Sequence, residues 1–430
     1  MSDTRLALLE SGFGLGGYIP RAIAADAPPP SIPRTDIDRY WMAQAILEAM
    51  EGIGRTSPNP SVGAVIVKGE IEVSRGATEV YGSLHAERVA LNAAALLGAD
   101  LKDATCYATL EPCGGRGGKQ PPCADGLVTA GLGRVVIGAD DPHKKAAGLG
   151  LNTLTAAGIT IERALSGEAK AWHFPFLAAQ HKGGPVLIGK WAQTLDGHLA
   201  DDHNNSQWIS GPRSRAYTHW LRQKYDAIMV GMNTLLLDSP RLTARDSAPP
   251  HARQPHKIIF DPSARLATAS SKVLEALFDS TSASGPIIYW CTKDKSIKLP
   301  LDLSSYADRL IHVPYSDEDV PLLFKHLDAK HRERFGCELQ SVMVEGGAQL
   351  LTLLLRADLF DACHVFVRAG ILGGLRNRVG RLERGDNPVR DLMERNDFHL
   401  LATQQIDDDV LIECVSRKYD FWKRIAEKKE

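Results

Sequence analysis

At 430 residues, with 44% hydrophobic and 24% charged side chains, the chain is longer than one hydrophobic core usually supports, so two domains of ordinary enzyme composition are expected. The formal net charge of −2 and a pI near 6.7 argue against a nucleic-acid surface, which needs a clustered excess of Lys and Arg, and favour a small-molecule substrate. No apolar run approaches the length of a membrane span, so no membrane partner is expected either.

Residues 1–33 read as a flexible N-terminal extension. The apolar run Leu6 to Leu9 is too short for a secretory h-region and sits among Asp3, Arg5 and Glu10. Gly12, Gly14, Gly16 and Gly17 resemble a nucleotide loop only superficially. A dinucleotide fingerprint follows a strand and opens a helix, and neither is convincing before Pro20 and the run Pro28 to Pro30.

Residues 34–180 read as the first domain. Val62 to Val67, β-branched and apolar, predicts a strand, and the Ala- and Leu-rich run Glu87 to Leu97 predicts a helix, which places His85-Ala86-Glu87 at a helix N-terminus. Ala104 to Leu110 predicts a second strand. It leads into Glu111-Pro112-Cys113, and Pro121-Pro122 opens a helix that carries Cys123 and stops near Gly131. One imidazole, two thiolates and an unligated carboxylate form the set a zinc-dependent base deaminase needs. His85, Cys113 and Cys123 would hold Zn2+ with a fourth position open for water, and Glu87 would move the protons. Each piece alone has a plain alternative, a solvated helix start or a buried cysteine. In order and on matching elements, the set favours the metal. The usual deaminase motif has two residues between the cysteines, whereas this chain has nine, Gly114 to Pro122.

A helical stretch around Ala169 to Ala179 precedes His181-Lys182-Gly183-Gly184-Pro185, a polar Gly-Pro cluster that marks the domain boundary. A new strand, Val186 to Lys190, opens the second domain, residues 185–420, and a charged tail, 421–430, closes the chain. Arg215 and Arg222, seven apart on a predicted helix, read equally as a solvated face. Ser341 to Val344 predicts a buried strand, and Gly346-Gly347 before the helical run Gln349 to Leu355 would let backbone N–H groups approach a pyrophosphate. From the residues alone, a plain tight strand-to-helix turn carries more weight. Cys106, Cys291, Cys337, Cys363 and Cys414 are scattered, as core residues are in a reducing compartment, so the cytoplasm is expected.

With Thr56-Ser57-Pro58-Asn59-Pro60-Ser61-Val62-Gly63 before the metal motif and Asp141-Pro142 to Gly148-Leu149-Gly150 after it, the first half resembles the deaminase domain of the bifunctional riboflavin-biosynthesis RibD family. The second half resembles its reductase domain through Thr194-Leu195-Asp196-Gly197, Ser206-Gln207-Trp208-Ile209-Ser210, Val230-Gly231 with Thr234, Asp238-Ser239-Pro240-Arg241-Leu242-Thr243, Val344-Glu345-Gly346-Gly347 and Leu372-Gly373-Gly374. The resemblance implies an α/β protein: a cytidine-deaminase-like three-layer α/β/α domain followed by a dihydrofolate-reductase-like α/β domain that uses NADPH. It also implies a homodimer or higher homo-oligomer joined through the reductase half.

By the same resemblance Asp238 is the acid/base candidate and a cofactor neighbour. Trp208 and Arg215 line the cleft on the substrate side, and Arg241 or Arg245 meets the sugar phosphate. Thr194, where the family usually has Ser, stands with Thr234, Glu345, Gly346 and Gly347 on the cofactor side. In the deaminase half, Asn59 and Lys119 are the partners for the pyrimidine edge and the phosphate. Two departures stand out. The loop Gly114 to Gln120 lacks the family's histidine, and Thr78 stands where the family places another. Three functions therefore compete: the bifunctional enzyme, which is favoured; a paralogue with a working reductase whose deaminase half is inactive or takes another pyrimidine; and a nucleic-acid base deaminase, for which no basic groove is visible.

Overall fold

The computed structural model describes residues 34–115, 120–143, 146–245, 253–278, 285–293, 297, 301–316, 319–374, 376–379 and 396–419. The expected N-terminal extension and charged tail lie outside these. The chain divides into two compact units, Met1–His181 and Lys182–Glu430.

In the first unit, helix α1 (Arg34–Ala49) precedes strands β1 (Gly63–Lys68) and β2 (Ile71–Ala77), helix α2 (Ala86–Leu96) and strand β3 (Thr105–Leu110). Then follow α3 (Cys123–Thr129), β4 (Arg134–Ala139), α4 (Leu149–Ala156), β5 (Thr160–Arg163), α5 (Ser166–Trp172) and α6 (Phe174–Lys182). The sheet order is β2-β1-β3-β4-β5. β1 runs antiparallel to both β2 and β3, while β3, β4 and β5 are parallel. β1 and β4 are buried along almost their whole length, as their unbroken apolar runs require of central strands. The expected helical stretch around Ala169 to Ala179 is two helices, because Pro175 has no N–H to bond back one turn and a new helix starts instead.

Two devices place the helices. Asp38 of α1 accepts from Tyr107 Oη at 2.8 Å and pairs with Arg134, which also bonds Glu162, so one buried network ties α1 to β3, β4 and β5. On the other side α2 lies directly on β2. A Cβ at Gly76 would stand 2.6 Å from both Ala86 O and Ala90 N, so glycine there is what lets the helix carrying Glu87 settle on the strand.

The second unit is one nine-stranded sheet. Its elements are β6 (Val186–Thr194), α7 (Pro212–Lys224), β7 (Ala227–Gly231), α8 (Met232–Asp238), β8 (His256–Phe260), α9 (Ser271–Phe278), β9 (Ile288–Thr292), β10 (Leu310–Pro314), α10 (Val320–Phe335), β11 (Ser341–Val344), α11 (Ala348–Arg356), β12 (Ala362–Arg368), β13 (Phe398–Ile406) and β14 (Asp409–Ser416). The order is β10-β9-β8-β7-β11-β6-β12-β14-β13. The seven strands from β10 to β12 are parallel, and β14 and β13 add an antiparallel edge. The core is apolar and closed: Leu187, Met229, Ile258, Tyr289 and Val342 are fully buried together. At about 1.5–3 kcal/mol for each such side chain, this face holds the sheet to its helices. The buried Asp226 carboxylate accepts from Gln340 N and Ser341 N, which fixes where β11 starts and so where Glu345 emerges.

Candidate active sites

The metal site of the first unit is built from two helix starts and one strand end. His85 is the N-cap of α2 in extended conformation, φ −77° and ψ 157°, and Glu87 lies in the first turn. Cys113 follows β3, and Cys123 is the first residue of α3 with its N–H donating to Cys113 Sγ at 3.3 Å. His85 Nδ1 lies 3.5 Å from Cys113 Sγ and 3.6 Å from Cys123 Sγ. A tetrahedral zinc with ordinary bond lengths of about 2.0–2.1 Å to nitrogen and about 2.3 Å to sulfur has N···S edges of roughly 3.5–3.6 Å. The three donors, which all lie within 4.8 Å of one another, therefore fit zinc in both kind and spacing.

The electrostatics agree. Hydrogen bonding from Cys123, together with His85, draws the Cys113 thiol down to about 4, while the same coupling and burial push Cys123 up. Glu87 is buried. Burial first, and the Cys113 charge second, push its carboxyl up to about 7. A carboxyl there is suited to taking and returning a proton near neutral pH. Arg88 donates to Pro122 O at 3.3 Å and links α2 to the residue before Cys123.

The other residues read from the first half fall as follows. Asn59 sits on the loop before β1, its N–H donating to Thr56 O at 2.9 Å. Lys119 lies outside the described residues. Thr78 is buried and its hydroxyl accepts from Val62 N at 3.1 Å, so this side chain braces the start of β1.

In the second unit a cleft of 1520 Å³ opens at the C-terminal ends of the parallel strands, where open α/β sheets bind ligands. Lys190 of β6, Gly231 of β7, Phe260 of β8 and Glu345 after β11 reach it together. Trp208, Arg215, Thr234 and Asp238 line it, as do Arg241, Arg245, Gly346 and Gly347. Trp208 is 69% exposed, and the Arg215 guanidinium stacks 4.5 Å above its ring while donating to Ser210 O at 2.7 Å. Burial raises the Asp238 carboxyl above the usual carboxylate range. Gly347 is the N-cap of α11, with the backbone extended. Thr194 is not among the lining residues. Its hydroxyl donates to Asp196 Oδ1 at 2.5 Å and accepts from His198 N, closing the turn that follows β6.

Three cleft residues escape the sequence reading. Arg222 holds Glu345 in a two-pronged pair, Nε and a terminal nitrogen each 2.7 Å from a carboxylate oxygen, and also donates to Thr243 O at 3.0 Å. Burial alone would raise Glu345, but Arg222 outweighs it and the carboxyl is held below its usual value. Lys190 is lowered by burial and sits in the field of that pair. Arg265 lines the cleft near Asn233, to which it donates at 2.8 Å. A cation inside the apolar strand Val186 to Lys190 was the available signal for Lys190. Nothing local marks Arg222 as Glu345's partner, since they stand 123 residues apart.

Comparison with known proteins gives a match for each half. Residues 35–139 match the cytidine and deoxycytidylate deaminase zinc-binding region, and residues 185–412 match the RibD C-terminal domain. The riboflavin biosynthesis protein RibD of Aquifex aeolicus is 34% identical over 378 residues, 88% of this chain and 98% of that one. RibD of Escherichia coli is 34% identical over 78% of this chain and 89% of its own. Among solved structures, a Thermotoga maritima protein described as a diaminohydroxyphosphoribosylaminopyrimidine deaminase/5-amino-6-(5-phosphoribosylamino)uracil reductase superposes with a TM-score of 0.73 at 30% identity, covering 89% of this chain and all of that one. Acinetobacter baumannii RibD gives 0.69 at 28%, covering 89% and 99%. No helix among the described residues is long and apolar enough to cross a membrane.

Proposed function

The chain belongs to the RibD family of bifunctional riboflavin-biosynthesis enzymes, zinc deaminase and NADPH reductase in one polypeptide, and on that premise we propose the substrate and the residue roles. The substrate is 2,5-diamino-6-ribosylamino-4(3H)-pyrimidinone 5′-phosphate. The first unit hydrolyses its 2-amino group to ammonia, and the second reduces the ribosyl group to ribityl. The clustering of His85, Cys113 and Cys123 beside the buried Glu87 carries this reading.

When bound by His85, Cys113 and Cys123, zinc supplies a water whose pKa is lowered towards neutrality. Glu87 takes the proton of the attacking water and returns it to the departing amine, so one carboxyl serves as base and then as acid. Asn59 and Lys119 are assigned to the pyrimidine edge and the phosphate.

In the reductase cleft, NADPH supplies the hydride. The Gly346-Gly347 turn and the start of α11 offer backbone N–H groups to its pyrophosphate, with Thr234 alongside. Asp238 furnishes the proton that accompanies the hydride onto the opened sugar carbon–nitrogen double bond. Trp208 and Arg215 form one wall, and Arg241 and Arg245 receive the sugar phosphate. Arg222 and Lys190 keep Glu345 ionised and pointed at the polar end of the substrate. All seven cysteines are unpaired, which supports a cytoplasmic location. The open edge strand β13, with Leu400 65% exposed, supports a homodimer through this unit.

The test is one coupled assay of ammonia release and NADPH oxidation, comparing the wild type with Glu87→Gln. Ammonia from the wild type, its loss in the variant and retained reduction of separately prepared deaminated substrate are expected. Wild-type protein that binds zinc, releases no ammonia and still reduces that substrate would refute the assignment of the first unit.

A further inference from the structure

We propose that Gly150 and Gly114 are positioning residues for the metal site: a backbone-on-backbone brace from the start of α4 fixes the Pro112-Cys113-Gly114 segment and with it the Cys113 sulfur. A Cβ built on Gly150 would stand 1.8 Å from Pro112 O and 3.4 Å from Gly114 N. The reverse view agrees, since a Cβ on Gly114 would stand 2.3 Å from Gly150 N and 2.4 Å from Leu149 C. Both neighbours of Cys113 in the chain therefore touch the same residue, and they touch its backbone, which has no flexible end to swing away.

The brace has a second attachment. The segment that leads from β4 into α4 also docks on Glu111, whose buried carboxylate accepts from Asp141 N at 3.3 Å. Cys113 is thus held from the strand side through Glu111 and from the loop side through Gly114. Gly150 lies inside α4, where alanine is the better helix former. Local propensity alone would call Gly150→Ala an improvement, whereas the close approach requires the Cys113 segment to retreat by roughly 1 Å, beyond the ~0.5 Å that a functional constellation tolerates.

This inference rests on the assignment of Cys113 as a zinc ligand, and the test separates the two. Zinc affinity is measured on the full chain by chelator competition, and the thiolate-to-metal absorption band is recorded after cobalt substitution. Reductase turnover serves as the folding control. Gly150→Ala and Gly114→Ala are expected to weaken zinc binding about 10- to 100-fold, the range seen when supports of metal ligands are removed, and to shift the cobalt band. Gly158→Ala is the matched control: it sits just beyond α4 at φ +81° with nothing within 4 Å of its Cβ, so it strains the backbone without touching Cys113 and should keep wild-type affinity. Should Gly150→Ala fail to fold, Gly114→Ala carries the same reading. Wild-type affinity and an unshifted band in both variants overturn the brace, as does equal zinc loss in Gly158→Ala. Full zinc retention by Cys113→Ala overturns the ligand assignment and the brace with it.

Discussion

The two units place their chemistry in opposite ways. In the deaminase unit the ligands and Glu87 fall between residues 85 and 123, on consecutive elements, and the donors meet because two helix starts face one strand end. In the reductase unit the cleft gathers residues from Lys190 to Glu345 and beyond, brought together only by strand order in a nine-stranded sheet. The first site is a local structure that the fold supports. The second is a property of the fold itself. Damage should follow the same division, abrupt and confined in the first unit, graded and coupled to stability in the second.

The sharpest break is metal removal. Chelation, or Cys123→Ala, should abolish ammonia release while reduction of separately supplied deaminated substrate continues unchanged; a parallel loss of both activities would mean the units are not independent in this sense. Next in size is Arg222→Met. It leaves the buried Glu345 carboxylate without its two-pronged partner, which should cost about 3–5 kcal/mol of reductase-unit stability and most of its turnover, read by thermal melting and NADPH oxidation, with ammonia release intact.

A smaller effect concerns pH. Burial pushes the His331 imidazole down to about 4 and lowers His256 as well, and the two rings pack 5.2 Å apart. An unfolded histidine titrates near 6.5, so between roughly pH 6.5 and 4 the unfolded chain binds more protons than the folded one. The contribution to stability is complete above that window and is lost as pH falls through it. The reductase melting transition should therefore drop on acidification, and His331→Gln should flatten the slope. Smallest is Trp208→Ala. An exposed stack with Arg215 is worth about 0.5–1 kcal/mol, so a 2- to 5-fold rise in KM for a cleft ligand is expected without a change in melting temperature.

The same division explains what could be read from the chain. Helix Ala86–Leu96 and strand Thr105–Leu110 lie within one residue of their expected limits, because apolar periodicity and the proline pair before Cys123 are local signals. The Ser341–Val344 strand was equally plain. By contrast, the strand opening at Val186 runs on to Thr194. Its expected end at Lys190 took a charged residue for a boundary, and only the distant Glu345 makes that cation tolerable in the sheet. Arg222 read as well for a solvated face as for a partner, since its carboxylate lies on another strand end. Thr194, expected in the cleft, closes a turn. Two glycines 36 residues apart, 114 and 150, carry no sequence pattern that says their backbones touch.

The ordering of the chain also has a consequence in time. All three metal ligands have been synthesised by residue 123, whereas β6 of the reductase sheet must wait for β11 and β12, more than 150 residues later, before it has neighbours on either side. At about 5–20 residues per second, translation of the remainder takes roughly 15 to 60 s. The nascent deaminase unit can thus capture its ion on the ribosome while the reductase is still an unpaired strand, so zinc scarcity in a growing cell would act at birth, on half a molecule, before the other half exists.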